Sequence, residues 1–102
     1  MSKLKSLPKP VKEGLDPMYP LNWYRHPGGE HRTVVGGYAL YATTGFKNSG
    51  EPILRRLYMT CDAARARALM GLLKGLVTES EWKRLHFKLE DLIADKAFAR
   101  GE

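Results

Sequence analysis

The chain predicts an α+β fold: a small antiparallel sheet of two or three strands followed by two α-helices, with an extended N-terminal arm. Three observations predict it. β-branched and aromatic residues crowd the run 33–44, and the turn-rich segment 45–52 separates it from a returning strand over 53–59. Apolar residues then recur at helical spacing over about 61–76 and again over 79–98. Prolines 8 and 10 fix φ and remove backbone donors, so residues 1–17 read as extended rather than helical. A chain of 102 residues holds one core, so the arm 1–17 precedes a single domain, 18–102, whose sheet covers about 21–59.

In the arm, Lys3, Lys5, Lys9 and Lys12 alternate with Leu4, Leu7, Pro8, Pro10 and Val11. Two readings stand side by side: a basic arm tracking a phosphate backbone, and an apolar strap lying on the domain. Residues 21–25 read as a short edge strand, and Pro27-Gly28-Gly29 is a turn signal. The long strand 33–44 is interrupted by Gly36-Gly37, which marks a bulge or a close backbone approach. Residues 53–59 form the returning strand.

The first helix starts at Thr60 or Asp62, either of which can cap it. Ala66, Leu69, Leu73, Leu76 and Val77 form its core stripe. Ala64, Ala68, Gly71 and Gly75 make a ridge of small side chains on another face, expected to pack on the protein's own sheet or second helix. The second helix opens on Thr78-Glu79-Ser80-Glu81, a capping box with Thr78 as N-cap, bracketed by Val77 and Trp82 as a hydrophobic staple. Trp82, Leu85, Leu89, Leu92 and Ile93 form its stripe. Phe87, Ala94 and Phe98 lie on the opposite side, Phe87 roughly 140° from Trp82 at 100° per residue. Phe87 is expected inside the protein, and Phe98, near the chain end, in an intermolecular contact.

Composition narrows the function classes. Seventeen basic side chains against 11 acids give +6. Residues 1–78 hold 12 basic and 5 acidic side chains, and residues 79–102 hold 5 and 6. Such a field draws polyanions or acidic protein surfaces. No run approaches the ~18 apolar residues of a membrane span. One cysteine, Cys61, forms no internal disulfide and fits a reducing compartment. The first residues lack the apolar stretch of a secretory signal, so a cytoplasmic location is expected.

No catalytic set emerges. Cys61 lacks a local signature linking it to His26, His31 or His86 as base, and reads as a small half-buried residue. These four residues lack paired CxxC or HxxxH spacing, so neither a metal nor another cofactor is expected. Neither Gly-Gly pair is followed by the lysine and helix start of a phosphate-cradling loop.

Basic and aromatic residues carry more information. Trp23, Tyr24, Arg25, His26 and Arg32 flank the Pro-Gly-Gly turn, Tyr38 and Tyr41 point to opposite faces of the long strand, and Arg55 and Arg56 are adjacent in the third strand. Short strand, long strand and short strand lead into a helix that opens Thr60-Cys61-Asp62-Ala63-Ala64-Arg65-Ala66. This order resembles the three-stranded-sheet DNA-binding domains of integrase arms over residues 23–73, and the Gly36-Gly37 interruption departs from their pattern. The resemblance implies a sheet laid in the major groove.

The leading expectation is a non-enzymatic modulator that docks on a larger protein of a nucleic-acid-processing complex, in the manner of small bacteriophage and mobile-element proteins. The alternative is direct DNA or RNA binding through an arginine- and aromatic-bearing sheet. A homodimer through Phe98 is a third reading. Expected contacts are Lys3, Lys5 and Lys9 on the arm, Trp23, Arg25, Arg32, Arg55 and Arg56 on the sheet, and Phe98.

Overall fold

The computed structural model describes residues 6–16, 20–26 and 36–95. Its elements run α1 (Lys9–Glu13), β1 (Leu21–His26), β2 (Gly37–Phe46), β3 (Pro52–Thr60), α2 (Ala63–Leu73) and α3 (Glu79–Ala94). The α+β class and the order of sheet before helices are as expected. The strands form one antiparallel sheet in the order β1-β2-β3.

Strand alternation builds the core. Trp23 lies opposite Leu40, and Leu40 opposite Tyr58, so all three share the face turned to the helices. Leu21, Tyr38, Ala42 and Leu57 join them. The helices answer with Ala66, Leu69, Met70 and Leu73 from α2 and Leu85, Leu89 and Leu92 from α3. The result is two layers, helices on one face of a sheet. Two indoles tie the layers together. Trp82 donates Nε1–H to the Met70 carbonyl at 2.7 Å, and Trp23 donates its own to the Met70 sulfur at 3.3 Å.

Two register shifts bend the β2/β3 ladder. Leu57 is the extra residue between the pairs Leu40–Tyr58 and Tyr41–Arg56, and Thr44 the extra one between Thr43–Leu54 and Gly45–Ile53. Gly37 is instead a close approach: a Cβ there would stand 2.4 Å from the Thr60 carbonyl oxygen.

Several expectations are corrected. Residues 9–13 are helical, not extended. Pro8 precedes the first turn and Pro10 lies within it, where the missing N–H would have no intrahelical partner anyway. Val11 is buried and Leu7 packs on the core, so this part of the arm is a strap. Asp62 caps α2, accepting from Ala64 N–H at 2.9 Å, and the helix ends at Leu73. Leu76 therefore falls outside it and is 56% exposed. The glycines of the small-residue ridge meet none of the described residues: Gly71 faces open space, and Gly75, at φ +87°, belongs to the turn after the helix.

Half of the capping box is made. Thr78 Oγ1 accepts from Glu81 N–H at 3.2 Å, while the Glu81 carboxylate turns to Arg84 Nε at 2.7 Å. Helix α3 stops at Ala94, because Asp95 leaves helical geometry at ψ 95°. Phe87 is 64% exposed, not internal, and the Phe98 expectation lies outside the described residues.

Candidate functional site

Among the described residues nothing covers the face of the sheet turned away from the helices, and the pairing shows what it carries. Residues paired with an outward-facing neighbour face outward themselves. Tyr41 pairs with Arg56, Ala39 with Met59 and Thr43 with Leu54. On β1, Tyr24 pairs with Ala39, one position out of phase with the buried Trp23. The rings of Tyr24 and Tyr41 meet diagonally across the strands, edge to face, with centroids 5.4 Å apart. Tyr24, Tyr41 and Arg56 thus form a row across the sheet. Leu54 (39% exposed) and Met59 (41%) flank its arginine end. Arg56 Nη1 approaches the Met59 sulfur at 3.7 Å and has no carboxylate partner among the described residues. Phe46, 69% exposed at the hairpin end, pairs with Pro52 two residues from Leu54 and prolongs the apolar surface.

The bulge at Leu57 makes this surface possible. With strict alternation Met59 would fall on the face opposite to Arg56. One extra residue, tucked into the core, restores both to the outside.

Other arginines are already occupied. Arg55 lies on the helix side, opposite Ala42, and Nη2 donates to Glu13 Oε2 of α1 at 2.6 Å. Arg25 is paired with Asp95 at the end of α3. Arg84 reaches the Leu21 carbonyl and also the Asn22 side chain at 3.3 Å. Arg67 grips Glu90 with two hydrogen bonds of 2.9 and 2.8 Å, which hold the Glu90 carboxyl below and the Arg67 guanidinium above their ordinary pKa values.

The structure thus distributes the expected contact residues unevenly. Arg56 is on the open face and Lys9 is exposed on α1. Arg25 and Arg55 are exposed but clamped, so they shape the fold before they meet a ligand. Trp23 is corrected: it is fully buried between sheet and helices and faces no partner. Lys3, Lys5, Arg32 and Phe98 lie outside the described residues. The sequence puts Tyr24 in the basic and aromatic cluster but not among the expected contacts, and it gives no sign of Leu54 and Met59. Alternation marks Tyr24 once Trp23 is known to face inward, but the Leu57 bulge leaves no sequence signal.

Chemistry-bearing groups do not converge. Cys61 is exposed at the β3–α2 junction rather than half-buried. Among the described residues no three His, Cys, Asp or Glu gather as a metal site, and no helix is long and apolar enough to cross a membrane. The chain matches no family model, no curated protein and no solved structure.

Proposed function

We propose that this protein is a non-enzymatic modulator that docks its open sheet face on an acidic surface of a larger protein, one belonging to a nucleic-acid-processing complex. The observation that carries the reading is the composition of that face: apolar Leu54, Met59 and Phe46 and two tyrosines surround a single arginine. Interfaces are rich in tyrosine, methionine and arginine at their centres. A phosphate backbone, in contrast, is held by many basic heads. Here Arg25, Arg55, Arg67 and Arg84 each hold a carboxylate of this chain.

Direct binding of single-stranded nucleic acid is the second reading. The row Tyr24, Tyr41 and Arg56 supports it, since aromatic rings on an open sheet can stack on bases. One comparison separates the two. The full chain and its Leu54→Asp variant are used to capture proteins from source-cell extract with and without nuclease. The modulator reading expects one dominant protein, retained after nuclease and lost with Leu54→Asp. If capture vanishes with nuclease, and an oligonucleotide binds with affinity falling steeply in salt, nucleic acid is the ligand instead.

A further inference from the structure

We propose that β3 is the docking edge itself: an acidic, extended segment of the partner adds to it as a fourth strand. This deepens the docking reading above and rests on it.

β3 is outermost in the sheet, and on its far side its nine residues meet no backbone partner among the described residues. Alternate N–H and C=O groups of an edge strand point outward as a template for pairing. Both outer strands carry helices on one face, α3 on β1 and α1 with α2 on β3, and at the β1 edge Arg84 takes the Leu21 carbonyl.

Charge selects the occupant. Elements α1 and β3 carry Lys9, Lys12, Arg55 and Arg56 against Glu13 alone. All other described residues together hold eight basic and eight acidic side chains. The net positive charge of the described structure is therefore concentrated beside this one edge. Arg56, at mid-strand and without a carboxylate partner among the described residues, also disfavours a second copy, because antiparallel self-pairing about mid-strand would bring like charges together. An acidic strand meets them with the opposite sign.

Side-chain order narrows the occupant further. The outer face of β3 reads Leu54, Arg56, Met59, apolar then charged then apolar, with the Leu57 bulge keeping Met59 in the row. A strand laid alongside presents every second residue to that face. The matching segment therefore has an acid two residues from an apolar side chain on each side.

The test selects a phage-displayed library of random nine-residue peptides on the full chain, on Arg56→Glu and on Leu54→Asp. The expected winners have a central Asp or Glu with Val, Ile or Leu two residues to either side. Arg56→Glu is expected to shift selection to Lys or Arg at that centre, and outward β3 amides to exchange at least tenfold more slowly once a selected peptide is bound. Winners without an acid, or an unchanged selection with Arg56→Glu, overturn the inference. Acidic winners that need Leu54 yet leave β3 exchange unchanged overturn strand addition and leave docking on the sheet face standing. No winners, together with protein capture indifferent to Leu54→Asp, defeat both. Binding of an oligothymidylate in place of any peptide overturns the inference in favour of nucleic acid.

Discussion

Gly37 shows how one residue links sheet to helix. Any side chain there would enter the Thr60 carbonyl, at the point where β3 hands the chain to α2. Backbone cannot step aside as a side chain can, so Gly37→Ala is expected to cost about 1–3 kcal/mol, the usual range for overpacking. Gly14→Ala is the matched control. Its Cβ would meet the Leu57 Cδ1 atom at 2.3 Å, which a rotamer change can relieve. Denaturant midpoints should fall less for Gly14→Ala than for Gly37→Ala, and the reverse order would refute the backbone assignment. Glu90 supplies a pH prediction. Arg67 hydrogen bonds hold its folded pKa below the ordinary value, so the pair stabilises the protein above that value. The contribution is lost as pH falls through the lowered folded pKa. Glu90→Gln is therefore expected to lower the melting midpoint at neutral pH, with the gap closing on acidification. Because the pair is solvent-exposed the gap is small and shrinks in salt.

At the scale of elements, local signals and tertiary packing divide the work. Asp62 and Thr78 each accept a backbone N–H at the start of a helix, a device written in the residue type and its distance from the apolar stripe. Helix ends were less legible. The stripe Ala66, Leu69, Leu73 continues in sequence to Leu76 and Val77, yet the backbone turns away after Leu73 and leaves Leu76 outside. Gly71 lies inside α2 with open space where a Cβ would project. Its small size serves no contact among the described residues, so Gly71→Ala is expected to stabilise by about 0.5–1 kcal/mol through helix propensity alone. A thermal melt checks this. A loss of stability would mean that the small-residue ridge is covered in solution. The short helix α1 illustrates the opposite case. Pro8 and Pro10 argue against long helices, but one turn tolerates them at its start, and burial of Val11 stabilises that turn.

For the molecule as a whole, the two faces of the sheet differ in burial. Leu40 is completely buried at the centre of the helix-facing side. Leu40→Ala is expected to cost about 2–5 kcal/mol, the range for truncating a core leucine. Leu54→Asp, on the open side, is expected to remain within about 0.5 kcal/mol of the parent, as surface changes usually do. Chemical denaturation of the two variants measures the contrast. A large loss with Leu54→Asp would show that the open face is covered by the chain itself and is no docking surface. Charge follows the same asymmetry. A basic excess carried by residues 1–78 becomes, among the described residues, a concentration on α1 and β3, because six ion pairs hold basic heads elsewhere and the seventh joins Arg55 of β3 to Glu13 of α1. Association through that edge is therefore expected to slow as ionic strength rises.

Local chemistry alone determined the α+β class, the order of the sheet before α2 and α3, the cap at Thr78, the choice of Thr60 or Asp62 as the other cap, and Trp82 and Leu85 as core-facing positions. Periodicity and capping act within a few residues, so they survive in a one-dimensional string. Which arginines meet carboxylates, which face of the sheet stays open, and how Leu57 keeps Met59 beside Arg56 depended on pairings between residues far apart in the chain. Arg25 and Asp95 are 70 residues apart, and Arg55 and Glu13 are 42 apart. Only the folded chain brings such partners together, so the surface available for binding was decided there.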